Sequence, residues 1–118
     1  MDIRVKTFVA EAGSRFGAVL EGLGFTGPQV DDGQGTYPLM MCLRYHRDDV
    51  SVETSLVLAY AGEEYVQTSL LWGANAPGGV RCVEVGSNTA HTGYQMRRAL
   101  DRQVQAVPGL LEHPDPGA

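Results

Sequence analysis

At 118 residues the chain has room for one domain, and 43% hydrophobic with 19% charged residues is material that can bury a core without staples. The formal net charge of −5 argues against a phosphate-backbone partner, which needs clustered Lys and Arg, and equally against an anionic membrane surface. No apolar run approaches the length of a membrane span and no signal-type stretch stands at the N-terminus, so a cytoplasmic, reduced protein is the expectation.

The clearest periodic signal lies in residues 4 to 23. Val5, Phe8, Val9, Ala12, Phe16, Val19, Leu20 and Leu23 recur at three- and four-residue steps, which predicts a helix with one apolar face. Gly22 and Gly24 bracket its end. Gly13 and Gly17 fall one turn apart inside it and predict close packing of helix on sheet. From Phe25 to Val30 the text allows a short strand, followed by a loop at Asp31-Asp32-Gly33-Gln34-Gly35. The two aspartates lack the further acidic positions and the bidentate Glu of a calcium loop, so they predict a solvated turn.

Three alternating segments follow. In residues 38 to 46, Leu39, Met41, Leu43 and Tyr45 share one face, with Met40, Cys42, Arg44 and His46 on the other. In residues 50 to 60, Val50, Val52, Thr54, Leu56, Leu58 and Tyr60 oppose Ser51, Glu53, Ser55, Val57 and Ala59. A tight turn at Asp48-Asp49 pairs Arg44 with Glu53 and Leu43 with Thr54. The next turn, at Ala61-Gly62-Glu63-Glu64, leads into residues 65 to 72. A loop longer than two residues there buries Leu70 and Trp72 rather than Gln67, and the apolar gain of about 1.5 to 3 kcal/mol per side chain selects it. After the breaker Gly73 to Gly79, Val80 to Val85 reads as a fourth strand. Asn88 or Thr89 then caps a second helix to about Ala106, with Met96, Leu100, Val104 and Val107 inside and Pro108-Gly109 as its stop.

The expectation is therefore an α+β fold: an N-terminal helix, an antiparallel four-strand meander and a C-terminal helix, in two layers with both helices on one sheet face. A single domain spans 1–109, and 110–118 forms a flexible tail.

Sites are sparse. His46, His91 and His113 share no ligand-type spacing, and neither Cys42 nor Cys82 has a neighbouring partner, so no metal or cofactor is expected. The cysteines fall on the first and fourth strands, beyond disulfide reach, and predict two free thiols. Ser51, Ser55 and Ser69 share the outer face with His46 and Glu53, so a Ser-His-Glu cluster can be drawn. It lacks an elbow motif and an oxyanion turn, and no catalytic residue is assigned. The loop from Gly73 to Gly79 enters a strand and has no Lys, unlike a phosphate-cradling loop; it reads as a flexible connection or binding lip. Arg44, Arg81, Arg97 and Arg102 are scattered over separate elements, so no nucleic-acid or membrane partner is expected.

What remains is the outer sheet face. Met40, Arg44, His46, Glu53, Val57, Tyr65, Gln67 and Leu71 are its contact candidates, and Met40, Val57, Ala59 and Leu71 make its far end apolar. The expectation is a non-enzymatic protein-binding module of adaptor, chaperone-like or inhibitor type, acidic and dimeric, whose partner is a protein or its own copy. A charge at Val57 should then dissociate the dimer without unfolding either subunit. The competing reading is a small-molecule-binding or lyase/isomerase-type domain, with a pocket between helices and sheet lined by Tyr45, Tyr60, Trp72 and Tyr94.

Overall fold

The computed structural model describes residues 3–32, 39–58, 64–73 and 80–112. Its elements run α1 (Ile3–Gly22), β1 (Thr26–Asp32), β2 (Leu39–Arg47), β3 (Val50–Leu58), β4 (Glu64–Trp72), β5 (Arg81–Thr89) and α2 (Gly93–Glu112). The fold is α+β, and its antiparallel sheet has five strands in sequential order rather than four.

α1 buries Val5, Phe8, Ala12, Phe16 and Leu20, the stripe its spacing predicts. It ends where Gly24 takes a φ of +88°, and the Phe25 and Leu23 amides donate back to the Leu20 carbonyl at 2.9 and 3.0 Å. The guanidinium of Arg47 donates to the Leu23 carbonyl at 2.7 Å and lies 4.7 Å from the centre of the Phe25 ring, fastening the helix end to β2.

The strand missing from the expected count is β1, which extends through Asp31 and Asp32 where a loop was expected. Gly27 and Pro28 make this segment look like a turn. At a sheet edge, however, a proline has no ladder bond to lose, and the register irregularity between Thr26 and Gln29 absorbs the pair. Only glycine suits position 27: its φ is +133°, and an added Cβ would stand 2.8 Å from the Arg44 carbonyl oxygen.

The β2–β3 hairpin has the predicted register, Arg44 opposite Glu53 and Leu43 opposite Thr54. Asp48, in the turn, takes the left-handed φ of 51° that Asp tolerates. β4 sets Leu70 against Val52 and Trp72 against Val50, and all four are buried. The expected turn residues Ala61 to Glu63, with Ala59 and Tyr60, lie outside the described residues, as do Gly33 to Gly35, the loop from 74 to 79 and residues 113–118.

β5 runs four residues further than expected, because Val85 is an extra residue opposite the Thr68–Ser69 step and the strand resumes its pairing through Gly86, Ser87, Asn88 and Thr89. Asn88 and Thr89 are therefore strand residues, not helix caps. The cap is Thr92, whose hydroxyl accepts from the Gln95 amide at 3.1 Å while the Gln95 side chain accepts from the backbone of His91 and Thr92. That reciprocal pair is a capping box. α2 also passes through Pro108 to Glu112. Leu110 and Leu111 pack against the core, which offsets the hydrogen bond the proline removes.

Both helices lie on the same face of the sheet, α1 over β1 to β3 and α2 over β4 and β5, and an Arg15–Asp101 ion pair of 2.6 Å joins them. Among the described residues the core between the layers is apolar except for Thr54, Thr68 and Gln103.

Candidate functional site

The pairing register arranges the face opposite the helices into four rows that cross the sheet. The first row holds His46, Ser51, Leu71 and Cys82; the second Arg44, Glu53, Ser69 and Glu84. The third holds Cys42, Ser55, Gln67 and Ser87, and the last Met40, Val57, Tyr65 and Thr89. Among the described residues no helix or strand lies over these rows. All eight contact candidates stand on this face, but two differ from expectation. Leu71 sits beside Ser51 at the hairpin end, diagonally across the face from Met40, because β4 runs antiparallel to β3 and returns it there. The apolar end is thus one row, Met40, Val57 and Tyr65. Val57 itself is only 6% exposed and yet stands outside the core cluster under the helices, whereas Met40 is 42% exposed. A carboxylate at Val57 would be desolvated, so Val57→Glu would unfold the chain and cannot serve as a clean probe of association.

Within the polar rows several side chains pair with one another. Arg44 Nε donates to Glu53 at 2.5 Å and its Nη1 to Asp31 at 3.0 Å, so the guanidinium pKa rises, chiefly through the Glu53 bond. Gln67 donates to Glu84 at 3.3 Å. Ser51 Oγ and His46 Nδ1 do meet, at 2.9 Å, but the Glu53 carboxylate is engaged by Arg44 rather than by the imidazole. The Ser-His-Glu cluster therefore has two members and no orienting third. Among the described residues no group of three His, Cys, Asp or Glu side chains could hold a metal ion.

Of the aromatic residues expected to line a pocket between helices and sheet, only Tyr45 borders a described opening. Tyr45 and Trp72 are core residues, Tyr94 is 61% exposed on α2, and Tyr60 lies outside the described residues. That opening is a groove of about 660 Å³ between α1 and the sheet, lined by Gly13, Gly17, Phe25, Gly27 and Tyr45 among others. Close packing at the two helix glycines is thereby corrected: a Cβ at Gly13 would meet nothing within 4 Å, and one at Gly17 would meet only the Tyr45 hydroxyl, at 3.8 Å. That hydroxyl is buried and has no hydrogen-bond partner among the described residues.

A second opening, of about 310 Å³, lies between the end of β5 and the flank of α2 and includes Asn88, Gln95, Arg98 and Arg102. The expected scatter of arginines over separate elements fails here, since Arg97, Arg98 and Arg102 all belong to α2. The sequence pattern also gave no prominence to Gln103. It is 1% exposed, and its Nε2 donates to the Val66 carbonyl and to Asn88 Oδ1, each at 2.9 Å. Gln103 Oε1 lies 2.6 Å from the Thr68 hydroxyl, which is 2.9 Å from that of Thr54. Gln103 Oε1 can only accept and Thr68 has one proton to give, so Thr54 supplies the proton in the second bond. Gly86 makes room for this side chain, with its absent Cβ only 3.0 Å from Gln103 Cγ.

Both cysteines are free, on β2 and β5, with two strands between them. Burial pushes the Cys42 thiol above its ordinary 9.0, and a bond with Ser55 only partly opposes this; burial likewise raises Tyr45 above 10.0. Cys82 is exposed, so alkylation should label Cys82 first and Cys42 slowly, as mass spectrometry of quenched samples would show. A raised pKa favours the neutral form in the folded chain. The stability it supports is present below the unfolded value and is lost as pH climbs through the folded one. Melting temperatures should fall as pH rises past 9 and then 10, and fall less in Tyr45→Phe; a flat alkaline profile would contradict the burial of both groups.

No protein-family model matches the chain, and neither a curated protein nor a solved structure matches it. The functional reading rests on the rows, grooves and charges described above.

Proposed function

We propose that the chain is a non-catalytic protein-binding module that works through the sheet face opposite its helices, with a second copy of the chain as the occupant. Small adaptor, chaperone-like and inhibitor proteins work through surfaces of this kind. The observation that supports the reading is the placement of α1 and α2 on one face while four rows of side chains on the other have no described element over them. The two central rows mix the short side chains of Cys42, Ser55, Ser69 and Ser87 with the mutually paired polar ones of Arg44, Glu53, Gln67 and Glu84, a polar surface that a partner can meet. The last row adds an apolar edge through Met40 and Tyr65. Strand spacing near 4.8 Å and a rise near 3.3 Å per residue give a face of roughly 20 by 30 Å, about 600 Å² in projection and about three quarters of the ~800 Å² per partner of a standard interface. A two-fold axis would set each apolar row on its own copy.

Sedimentation equilibrium at about 100 μM protein, where mass action favours association, should give twice the chain mass. Met40→Glu and Ser55→Arg place charge on the face without entering the core. Both should yield folded monomers whose melting curves match that of the parent at dilutions where it too is monomeric. A parent chain that is monomeric at this concentration, or a dimer indifferent to both substitutions, would refute the reading.

A further inference from the structure

The opening beside α2 is lined by Asn88, Thr89, Gln95, Arg98, Ala99 and Arg102. Its chemistry is fixed by what the fold has already taken from these side chains. Asn88 Oδ1 accepts from Gln103 Nε2 at 2.9 Å, which fixes the orientation of the Asn88 amide and leaves its NH₂ group to donate to other partners. Gln95 Oε1 accepts from the backbone of His91 at 2.9 Å and of Thr92 at 3.3 Å, which leaves the Gln95 NH₂ in the same position. Neither amide could be flipped without setting donor against donor.

The two arginines stand one helical turn apart. Arg98 donates one N–H to the Tyr94 hydroxyl at 2.9 Å, which fixes its fork, and four N–H groups remain. Arg102 makes no described contact with an acid. Among the described residues neither arginine faces a carboxylate, whereas Arg4, Arg15 and Arg44 are each paired with one or two. A chain with a net charge of −5 thus holds two uncompensated guanidinium groups at one groove, beside two amide donors.

We propose that this groove binds the phosphate of a small phosphomonoester. Two guanidinium charges match a phosphate dianion, and its three terminal oxygens offer more acceptor positions than the two of a carboxylate. A volume of about 310 Å³ falls at the lower end of small-ligand pockets and holds a phosphate with a compact organic group. The groove lies between α2 and β5 and shares only Thr89 with the outer face, so this inference does not rest on the sheet-face reading.

The test is an NMR titration of ¹⁵N-labelled protein at low ionic strength with phenyl phosphate, inorganic phosphate and acetate. Phenyl phosphate should shift the side-chain NH₂ signals of Asn88 and Gln95 saturably, inorganic phosphate more weakly, and acetate least. Arg98→Gln with Arg102→Gln should weaken binding about tenfold or more, since the charge-assisted bonds are lost. Arg97→Gln should leave it unchanged, because Arg97 is absent from the lining. Gln95→Glu is the decisive variant. A glutamate still accepts from His91 and Thr92 and keeps the capping box, so the fold persists, but it replaces the donor with a negative charge and should abolish binding. Binding that survives Gln95→Glu, or an acetate affinity equal to that of phenyl phosphate, would overturn the proposal. Equal affinity for inorganic and phenyl phosphate would overturn the ester and leave a free-phosphate site.

Discussion

Gln103→Ala should lower the stability of the fold by about 3 to 5 kcal/mol, the sum of lost hydrogen bonds and a new cavity. The side chain is buried between α2 and the sheet and satisfies groups on three strands: Thr68 and the Val66 carbonyl on β4, Asn88 on β5, and through Thr68 the Thr54 hydroxyl on β3. Truncation leaves the Thr68 hydroxyl and the Asn88 carbonyl without their partner, and each such loss costs roughly 1 to 3 kcal/mol in a dry core. Urea melts of the parent and of Gln103→Leu separate the two contributions. The leucine fills most of the volume but restores no hydrogen bond, so it should recover only the cavity share. Adding Thr54→Val and Thr68→Val to Gln103→Leu should recover more, because removing both ends of a buried bond is far cheaper than removing one. A Gln103→Ala loss under about 1 kcal/mol would mean that water replaces the network and that the core is not sealed there.

The same residue shows what the sequence displayed and where a reading of it fails. Gln103 falls seven positions after Met96, on the stripe of Met96, Leu100, Val104 and Val107, and Thr54 and Thr68 fall on the apolar faces of their strands. Three polar residues on three inward faces are a signal of a buried network, but a pattern keyed to apolar residues passes over them. The first hairpin was legible to the register because both strands alternate cleanly and Asp48-Asp49 fixes the turn between them. β1 was not legible in full, since an edge strand needs little hydrophobicity. Its Val30, directly opposite Leu43, remains 51% exposed even though α1 packs along that edge. The start of α2 was misplaced because Asn88 and Thr89 are good capping residues in isolation. The better signal was Thr92 with Gln95 three positions on. For the candidate surfaces, alternation indicated which residues share the outer face but not which strand end each occupies, and Leu71 was misplaced for that reason. The groove beside α2 could not be seen at all. It depends on a bulge at Val85 that brings Asn88 opposite Val66 and within reach of α2, and no local pattern announces the bulge.

Leu56→Ala should destabilise the chain by about 2 to 5 kcal/mol, as buried leucine truncations do. Leu56 is 1% exposed at the middle of β3, paired with Met41 on one side and Val66 on the other, and it belongs to the cluster sealed by α1 and α2. Its neighbours are themselves held by cross-strand pairs, so the site has little freedom to collapse and the loss should lie in the upper half of that range. Domains of roughly this size shift by about 3 to 6 °C per kcal/mol, so the melting temperature should drop by about 10 °C or more. Leu71→Ala is the matched comparison, since it deletes the same atoms from the opposite face. Leu71 is half-buried beside Ser51, and its truncation should cost about 1 kcal/mol or less in the isolated subunit. Measured in urea under conditions where the chain is monomeric, the two substitutions should therefore differ at least twofold. Equal losses would mean that the outer face is as deeply covered as the inner one. A larger loss at Leu71 would reverse the sides of the sheet, and with them the surface proposed for binding.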